Sequence, residues 1–462
     1  MMVQWEQFLA GNHAPVHAER GPLAVEVPGG LPRELRGTFY RTGPNPQFAP
    51  LGTYHPFTGD GMVHAFGIRD GKLEYVNRWV RTGKFEIERR HGRSLYRGYA
   101  ADPEQAALTG DVPFDAANTN MVWHAGSLLA LYEISRPYEL DPRTLETLGY
   151  WGDEQNFRGK MTAHPRIDPK TGEMLFFNYD TGRPELTFHV CDRNGRVVRS
   201  ERIALPYSCM IHDFFVTEDY VVFPVSPAIL DDSWRFRRDA HAYWDPRRGS
   251  SLCVLSRRGE LSIQWIEIDN CMVFHPLNAF NTGSQITVDV VKYPSCPMMP
   301  DIDGNYTKGL EVLHKTALMR WTFDAVLGGG LRETEIDALP GEFPRIDDRF
   351  SGYRHRHGFM LNYNPKHGGT DTISHIDIGA GKICRYVAGE GIALSEPVFV
   401  PRTAQADEGD GFLITTRYDA ARDESALEIL DATDVERGPI AVAPLPFRFP
   451  FGFHAIWKPD GE

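Results

Sequence analysis

Four histidines, each flanked by aliphatic or aromatic residues, are the side chains of this sequence best suited to chemistry: His164, His212, His275 and His454. An imidazole in apolar surroundings needs a partner that offsets its desolvation, and one metal ion shared by all four would provide it. The gaps between them are 48, 63 and 179 residues. Zinc fingers and helical His-Glu-x-x-His pairs take ligands from neighbouring residues, so such local sites are excluded. The histidines can share an ion only if the fold brings four distant segments together.

Three glutamates also stand in apolar settings that do not favour a solvated carboxylate: Glu133, Glu342 and Glu396. A histidine that binds a metal commonly donates its second ring N–H to a carboxylate, which fixes the tautomer and the ring orientation. Each glutamate could hold one of the histidines in this way. Taken alone, any of them could equally be a carboxylate at the end of a strand that reaches water.

The metal favoured by this ligand set depends on the coordination number. Imidazole suits Zn, Cu, Fe and Ni, and four neutral imidazoles leave a divalent ion with its full charge. Zinc commonly stops at four ligands, which would give a closed structural site, whereas octahedral iron would keep two positions for oxygen or substrate. We expect one Fe(II) per chain, although the ligand type by itself leaves zinc open.

Composition limits the classes of function. The chain has 462 residues, of which 42% are hydrophobic and 24% are charged, as in ordinary globular proteins with a sizeable core. A net charge of -13 argues against nucleic-acid binding, which relies on clustered Lys and Arg. The first ten residues lack a cationic start followed by an apolar stretch, and no apolar run approaches the roughly 20 residues of a membrane span. We therefore expect a cytoplasmic protein.

The elements that must position these residues are short strands. Runs rich in β-branched and aromatic residues alternate with turns that contain Gly, Asn or Pro, which predicts successive hairpins. The clearest runs span residues 128–132, 174–179, 220–225, 286–293, 411–418 and 426–430. Amphipathic helical patterns are scarce, the best being residues 6–10 and 318–327, so alternating βαβ units do not fit. The chain is predicted to be all-β and mostly antiparallel.

A chain of this length without a linker rich in Pro, Gly or Ser most economically closes as one β-propeller domain. We expect this domain to span residues 1–462, with about seven four-stranded blades. The inner strands of the blades face a common axis, so ligands tens of residues apart can meet there. The propeller therefore explains how four separated histidines could reach one metal ion.

Many motifs occur in an order that resembles one known family. Besides the four histidine motifs, they lie at residues 37–46, 59–64, 118–120, 140–149, 341–347, 396–402 and 445–450. In this arrangement the sequence resembles the carotenoid cleavage oxygenases. That family includes apocarotenoid oxygenases, plant carotenoid cleavage dioxygenases, lignostilbene dioxygenases and the vertebrate retinoid isomerase. The resemblance covers nearly the whole chain.

The resemblance implies a seven-bladed propeller with a few short helices and loops over the active-site face. Fe(II) would lie on the axis, bound by the four histidines, and the three glutamates match the family residues that hold those ligands. Thr119 matches a position beside an open iron coordination site, where it would restrict access. The implied reaction adds both atoms of O2 across an alkene and yields two carbonyl products, without flavin, haem, nicotinamide or an external reductant.

The substrate implied by the resemblance is a small hydrophobic conjugated alkene. Four aromatic residues, each near a family motif or a site residue, would line its tunnel, although each could instead be ordinary core: Phe57, Tyr132, Phe274 and Phe343. Lignostilbene dioxygenases typically carry lysine just before the first glutamate, where it contacts the substrate phenol, whereas this chain has Tyr132. This departure favours a carotenoid or apocarotenoid. Because tyrosine can also hydrogen-bond a phenol, a stilbene or a phenylpropene such as isoeugenol stays as the alternative.

Two other classes of function stay open at the level of sequence. A zinc-dependent hydrolase built on a propeller would use the metal to activate water. A propeller without catalysis could serve as a binding scaffold. A lipid-soluble substrate would also imply peripheral contact with a membrane through an apolar patch, which the sequence does not locate. The oligomeric state is not predicted.

Overall fold

The computed structural model describes residues 8–152, 157–231, 242–259, 262–297, 299–305 and 312–461. Its main antiparallel sheets number seven and surround one axis, which makes the fold a seven-bladed β-propeller. The fold class predicted from the sequence is confirmed.

The first blade combines strands from the two ends of the sequence. Its five strands are β1 (Arg20–Val25), β2 (Gly37–Pro44), β3 (Gly61–Arg69), β4 (Lys72–Trp79) and β34 (Ala455–Pro459). The innermost strand is β34, which pairs antiparallel with β2 from Ala455 opposite Arg41 to Pro459 opposite Gly37. This pairing closes the ring of blades with backbone hydrogen bonds.

Blades 2 to 4 follow in chain order. Blade 2 consists of β7 (Asn120–His124), β8 (Ser127–Leu131), β9 (Tyr138–Leu140) and β10 (Thr147–Tyr150). Blade 3 consists of β11 (Arg166–Ile167), β12 (Met174–Tyr179), β13 (Glu185–Cys191) and β14 (Val197–Ala204). Blade 4 consists of β15 (Phe215–Val216), β16 (Tyr220–Val225), β19 (Ser250–Ser256) and β20 (Gln264–Ile268), with a hairpin of β17 (Ala228–Leu230) and β18 (Ala242–Trp244) inserted.

Blades 5 to 7 complete the ring. Blade 5 consists of β21 (Met272–Thr282), β22 (Gln285–Tyr293), β23 (Ala317–Asp324) and β24 (Arg332–Asp337). Blade 6 consists of β25 (Gly341–Arg345), β26 (His357–Asn364), β27 (Gly369–Asp377) and β28 (Lys382–Val387). Blade 7 consists of β29 (Ile392–Leu394), β30 (Val398–Pro401), β31 (Gly411–Asp419), β32 (Glu424–Asp431) and β33 (Pro439–Pro444).

The connection from blade 1 to blade 2 carries two short helices and a small hairpin. These are α1 (Gly83–His91), the hairpin of β5 (Tyr96–Arg97) and β6 (Ala100–Ala101), and α2 (Ala106–Thr109). Across the described residues, the helices are all too short or too polar to cross a membrane.

Apolar side chains are buried between neighbouring blades, with one large cluster at each of the seven junctions. Phe66 of blade 1 shares a cluster with Phe412 of blade 7, and Leu129 of blade 2 shares one with Phe176 of blade 3. Strands inside this stack are buried on both faces, as in β16, where all six residues are buried. Double burial explains why these strands read as continuous apolar runs.

The six predicted strand runs are confirmed as parts of β8, β12, β16, β22, β31 and β32. The helical pattern at residues 318–327 is wrong, because most of this segment forms β23, hydrogen-bonded to β22 on one side and β24 on the other. Leu318, Trp321 and Phe323 are buried on the two faces of that strand. In the other helical pattern, residues 6 and 7 lie outside the described part of the chain.

A candidate metal centre on the propeller axis

The four histidines converge on the propeller axis. His275 lies in β21, while His164, His212 and His454 stand one to three residues before β11, β15 and β34. These strands are the innermost ones of four different blades. One ligand atom from each ring lies within 4.8 Å of the other three, and all four residues are buried. The fold therefore assembles one group of imidazoles suited to a single metal ion.

The other three blades supply the three glutamates. Glu133 follows β8 in blade 2, Glu342 lies in β25 of blade 6, and Glu396 stands between β29 and β30 of blade 7. Each of the seven blades thus contributes one histidine or one glutamate to the centre.

Each glutamate accepts a hydrogen bond from the Nδ1 of a different histidine. His212 donates to Glu133 at 2.6 Å and His275 donates to Glu342 at 2.6 Å. His454 makes the equivalent hydrogen bond to Glu396, at 3.0 Å. A carboxylate fixes the Nδ1–H tautomer and turns Nε2 towards the centre.

Two of the glutamates are held by tyrosines that sequence reasoning missed. The Tyr179 hydroxyl donates to Glu133, and the Tyr293 hydroxyl donates to Glu342 at 2.7 Å. Each tyrosine is the last residue of a largely buried strand, β12 or β22. A tyrosine at the end of an apolar strand was the available signal, because its hydroxyl needs a polar partner where the strand leaves the core.

Glu396 is held by a different set of donors. It accepts a hydrogen bond from the Ala455 N–H at 2.7 Å, and an Arg345 guanidinium nitrogen lies 3.4 Å from its other oxygen. Burial acts to raise the pKa of this carboxyl, but Arg345 and His454 outweigh it and lower the pKa to about 2. Glu396 is therefore a fixed negative charge behind His454.

The facing ring nitrogens test whether a metal fits this site. His212 Nε2 lies 3.0 Å from His164 Nε2 and 3.2 Å from His275 Nε2. A neutral imidazole carries one N–H, and in His212 and His275 that proton is engaged at Nδ1 by a glutamate. Two lone pairs then face each other across 3.2 Å. A cation between them removes the repulsion, so the donor set fits a single metal ion.

Burial sets the protonation of these rings. It lowers the pKa of His164 well below its usual range, and the other ligand rings add to this effect. Burial also lowers the pKa of His275, against the opposing effect of Glu342. For His212, burial acts in the same direction but the Glu133 carboxylate outweighs it, and the pKa is raised. Neutral imidazole is the form that binds metals.

A cavity of about 490 Å³ follows the axis and reaches the ligands. His164, His275 and His454 form part of its wall, so this side of the centre is open to small polar molecules. The charged side chains that line the cavity are Arg166, Asp213, Arg345, Asp348, Arg349 and Glu396.

Phe343 lies against two of the ligands and also lines this axial cavity. Its ring stacks on His275 with centroids 5.7 Å apart and meets His454 edge-on at 5.1 Å. The backbone of Phe343 has φ of +54°, in the left-handed region, which costs an L-residue about 1–2 kcal/mol. This conformation lets one short segment place a carboxylate behind His275 and an aromatic ring beside it.

Thr119 stands between two asparagines that tie segments of the centre together. Asn118 Nδ2 donates to the Phe57 carbonyl at 3.0 Å, and Asn120 Nδ2 donates to the Ala163 carbonyl, directly before the first ligand, at 2.9 Å. Thr119 is buried and its hydroxyl donates to Asn118 Oδ1 at 3.1 Å. The segment thus links the turn at Phe57 to the metal centre.

Six rings form a continuous aromatic wall, in the order Phe453, Phe57, His55, Tyr99, Phe114 and Tyr132. Adjacent ring centroids are 4.8 to 6.0 Å apart. The wall runs from Phe453, directly before the last of the four histidines, to Tyr132, directly before the first of the three glutamates. Sequence reasoning identified Phe57 and Tyr132 and missed the other four, which come from segments that no local pattern connects.

Tyr132 and Phe274 have different surroundings. The Tyr132 side chain is buried, yet its hydroxyl makes no hydrogen bond within the described part of the chain. Burial raises the pKa of Tyr132 well above its usual range, so this hydroxyl stays protonated. Phe274 packs edge-on against the ligand His212 and against Tyr293, with centroid distances of 5.2 Å in both cases.

Residues 13–459 match the family model described as RPE65, retinal pigment epithelial membrane protein. The chain is 34% identical to an isoeugenol monooxygenase of Pseudomonas nitroreducens, with 98% of each protein covered. It is 32% identical to a carotenoid 9,10(9',10')-cleavage dioxygenase 1 of Arabidopsis thaliana, with 98% of this chain and 90% of that protein covered. The crystal structure of a Pseudomonas brassicacearum lignostilbene dioxygenase matches with a TM-score of 0.92 and 32% identity, over 99% of both chains.

Proposed function

Because this chain belongs to the RPE65 family of carotenoid oxygenases, we propose that it is a non-haem Fe(II) dioxygenase that cleaves a C=C double bond of a hydrophobic conjugated alkene. The two atoms of one O2 molecule add to the two alkene carbons, and two carbonyl products form without an external reductant. The observation that carries this proposal is the convergence of four buried imidazoles, three of them oriented by glutamates.

Two of the ligand separations are compatible with an octahedral ion such as Fe(II). Two cis ligands of an octahedral ion at about 2.1 Å lie about 3.0 Å apart, whereas tetrahedral ligands at the same bond length lie about 3.4 Å apart. The Nε2 atoms of His164 and His212 are 3.0 Å apart, and those of His212 and His275 are 3.2 Å apart. The first value fits octahedral geometry and the second lies between the two. Bound Fe(II) supplies the electron transfer that lets O2 react with an alkene.

The residues of the chain hold the centre and position the alkene. The three glutamates retain the Nδ1 protons, so Nε2 of each of these rings is free for the metal. Phe57 and Tyr132 are assigned to the substrate channel within the aromatic wall, and Phe274 and Phe343 to its metal end. Thr119 is assigned the role of limiting access to one coordination position. An apolar channel excludes water and fixes the double bond beside the reacting oxygen, which is where the rate enhancement arises.

Carotenoids and apocarotenoids are the first substrate class. A relative of 32% identity is named for cleaving carotenoids, and the six-ring wall offers a long apolar surface against which a polyene can stack. Such a substrate resides in membranes, so this proposal includes peripheral contact with a lipid surface.

A second substrate class, hydroxylated aryl alkenes such as phenylpropenes and stilbenes, is favoured by Tyr132. Its hydroxyl makes no hydrogen bond to another described residue, so a ligand can supply one. A neutral tyrosine can donate to or accept from a substrate phenol. The relatives named isoeugenol monooxygenase and lignostilbene dioxygenase support this class as well.

Anaerobic reconstitution with Fe(II) followed by 18O2 tests the reaction. An apocarotenal, resveratrol and isoeugenol are supplied in turn, and the products are identified by mass spectrometry. Cleavage with 18O in both carbonyl products supports a dioxygenase, whereas label in one product alone indicates a monooxygenase. Uptake of zinc but not iron would favour a hydrolase, and a chain that takes up no metal would favour a binding scaffold.

Tyr132→Phe separates the two substrate classes. If the substrate is a hydroxylated aryl alkene, loss of one hydrogen bond raises KM for isoeugenol roughly 3- to 10-fold and leaves the KM for its O-methyl ether unchanged. An apocarotenal would be cleaved equally well by the variant. The matched control is Tyr363→Phe, at a residue whose ring packs on His314, away from the aromatic wall.

A further inference from the structure

His164 differs from the other three ligands in how its Nδ1 is held. Its closest carboxylate oxygen is Oδ2 of Asp213, at 4.0 Å. This separation is too long for a direct hydrogen bond but suits a contact through one water molecule. A water 2.8 Å from both atoms subtends an angle of about 90° at its oxygen, which hydrogen bonding allows.

Asp213 is fixed as firmly as the three glutamates. Only 1% of its side chain is exposed, Oδ1 accepts a hydrogen bond from the Phe214 N–H at 2.7 Å, and Arg166 pairs with Oδ2. The two carboxylate oxygens are thus assigned different partners, and Oδ2 is turned towards the first ligand. The Arg166 guanidinium offsets part of the cost of burying this carboxylate.

The space between His164 and Asp213 belongs to the axial cavity. Both residues and Arg166 line this cavity, whose volume of about 490 Å³ holds several water molecules. The other three histidines meet their carboxylates directly, at 2.6 to 3.0 Å. At His164, by contrast, a water molecule from the axial cavity could lie between the ring and the carboxylate.

We propose that Asp213 is the positioning residue of His164, accepting the Nδ1 hydrogen bond through one water of the axial cavity while Arg166 fixes the carboxylate. This inference rests on the proposed metal centre and adds a fourth carboxylate to it. Each ligand ring then has its own anion, and His164 presents Nε2 to the metal in the same tautomer as the other three. Asp213 directly follows the ligand His212, so one short loop of blade 4 provides one ligand and the carboxylate that positions another.

The competing role for Asp213 is purely structural, as an ion pair that joins the inner loops of blades 3 and 4. The chain offers a matched control for that role. Asp347 is also buried and pairs with Arg349 at 2.6 Å, and its partners do not include a ligand histidine. Loss of the Asp347 charge should therefore affect stability but not the metal.

The test compares Asp213→Asn, Asp213→Glu and Asp347→Asn by anaerobic titration with Co(II) and by the visible spectrum of the Co(II)-loaded protein. We expect Asp213→Asn to raise the Kd for Co(II) by 10- to 100-fold and to shift the absorption bands. We expect Asp213→Glu to keep both within a few-fold of the wild type. Asp347→Asn should lower the midpoint of thermal unfolding and leave the Kd and spectrum unchanged.

An Asp213→Asn protein with wild-type Co(II) affinity and spectrum would overturn the inference, as would an Asp213→Glu protein as defective as the Asn variant. If Asp213→Asn does not fold, Asp213→Glu decides alone, with retained affinity and an unshifted spectrum expected. Failure of the proposed metal centre looks different, because the wild-type protein would then not bind one metal ion per chain.

Discussion

Glu396 accepts the Nδ1 hydrogen bond of His454 at 3.0 Å, across the junction at which the last blade meets the first. The same carboxylate accepts the N–H of Ala455, the first residue of β34, at 2.7 Å. One side chain therefore orients a ligand and fixes the strand that closes the ring. The geometry of the metal centre and the closure of the propeller are coupled at this point.

Glu396→Gln is expected to raise the metal Kd by roughly 10- to 100-fold, as is typical when the partner of a ligating histidine is lost. The amide keeps the shape of the side chain but removes the charge that balances Arg345. Metal affinity measured by competitive titration checks this prediction. Glu390→Gln is the control, since Glu390 is exposed; equal Kd values for the two variants would argue against a role for Glu396 in holding His454.

His212→Ala is expected to lose metal binding and remain folded. Seven apolar clusters between blades stabilise the propeller without help from the centre. In the wild type, metal at 100 times its Kd should stabilise the fold by about 2.7 kcal/mol, and the variant should show no such shift. Far-UV circular dichroism and thermal unfolding with and without metal check both parts. If the circular dichroism spectrum of the variant lacked the β-strand signal, the fold would depend on metal binding.

The convergence of the four histidines and three glutamates was largely predictable from sequence because these residues carry strong local signals. A histidine such as His275 or a glutamate such as Glu396, set among apolar residues, is improbable unless it has a partner. Tyr293 and Asp213 gave weaker signals, because their roles depend on which blades become neighbours. That information is encoded in strand register and the order of blades, which short motifs do not reveal.

The error at residues 318–327 has a related cause. Leu318 and Trp321 are three residues apart, which suits one face of a helix. In β23, residues three apart point to opposite faces, and both faces are buried because blades 4 and 6 lie on either side. A doubly buried strand does not show the alternation that distinguishes strands from helices, so tertiary packing overrode the pattern.

Phe343 offers a test of backbone strain at the centre. Its φ of +54° is unfavourable for any residue with a Cβ but not for glycine. Phe343→Ala and Phe343→Gly both remove the ring, so their difference in unfolding free energy reports the backbone alone. We expect the glycine variant to be more stable than the alanine variant by about 1 kcal/mol. Denaturant unfolding measures it, and the reverse order would place this backbone outside the left-handed region.

Asp115 predicts a pH dependence of stability that does not involve the metal. Burial raises the pKa of this carboxyl to about 7, and one of its oxygens has no hydrogen-bond partner within the described residues. The unfolded chain has the lower pKa, near 3.8. Between these values the folded state binds more protons, so the Asp115 contribution to stability falls as pH rises from 4 to 7 and stays low above 7.

Asp115→Asn should remove this dependence, because the amide mimics the protonated acid. The stability of the variant relative to the wild type should rise between pH 5 and pH 8, by on the order of a few kcal/mol. Urea unfolding at the two pH values measures the difference, and subtracting the wild-type value cancels the titration of all other groups. Asp111→Asn, at an exposed position of the same segment, is expected to show no such change. A constant difference between pH 5 and pH 8 would mean that Asp115 is ionised throughout this range, stabilised by the hydrogen bonds that Ser135 and Tyr138 donate to it.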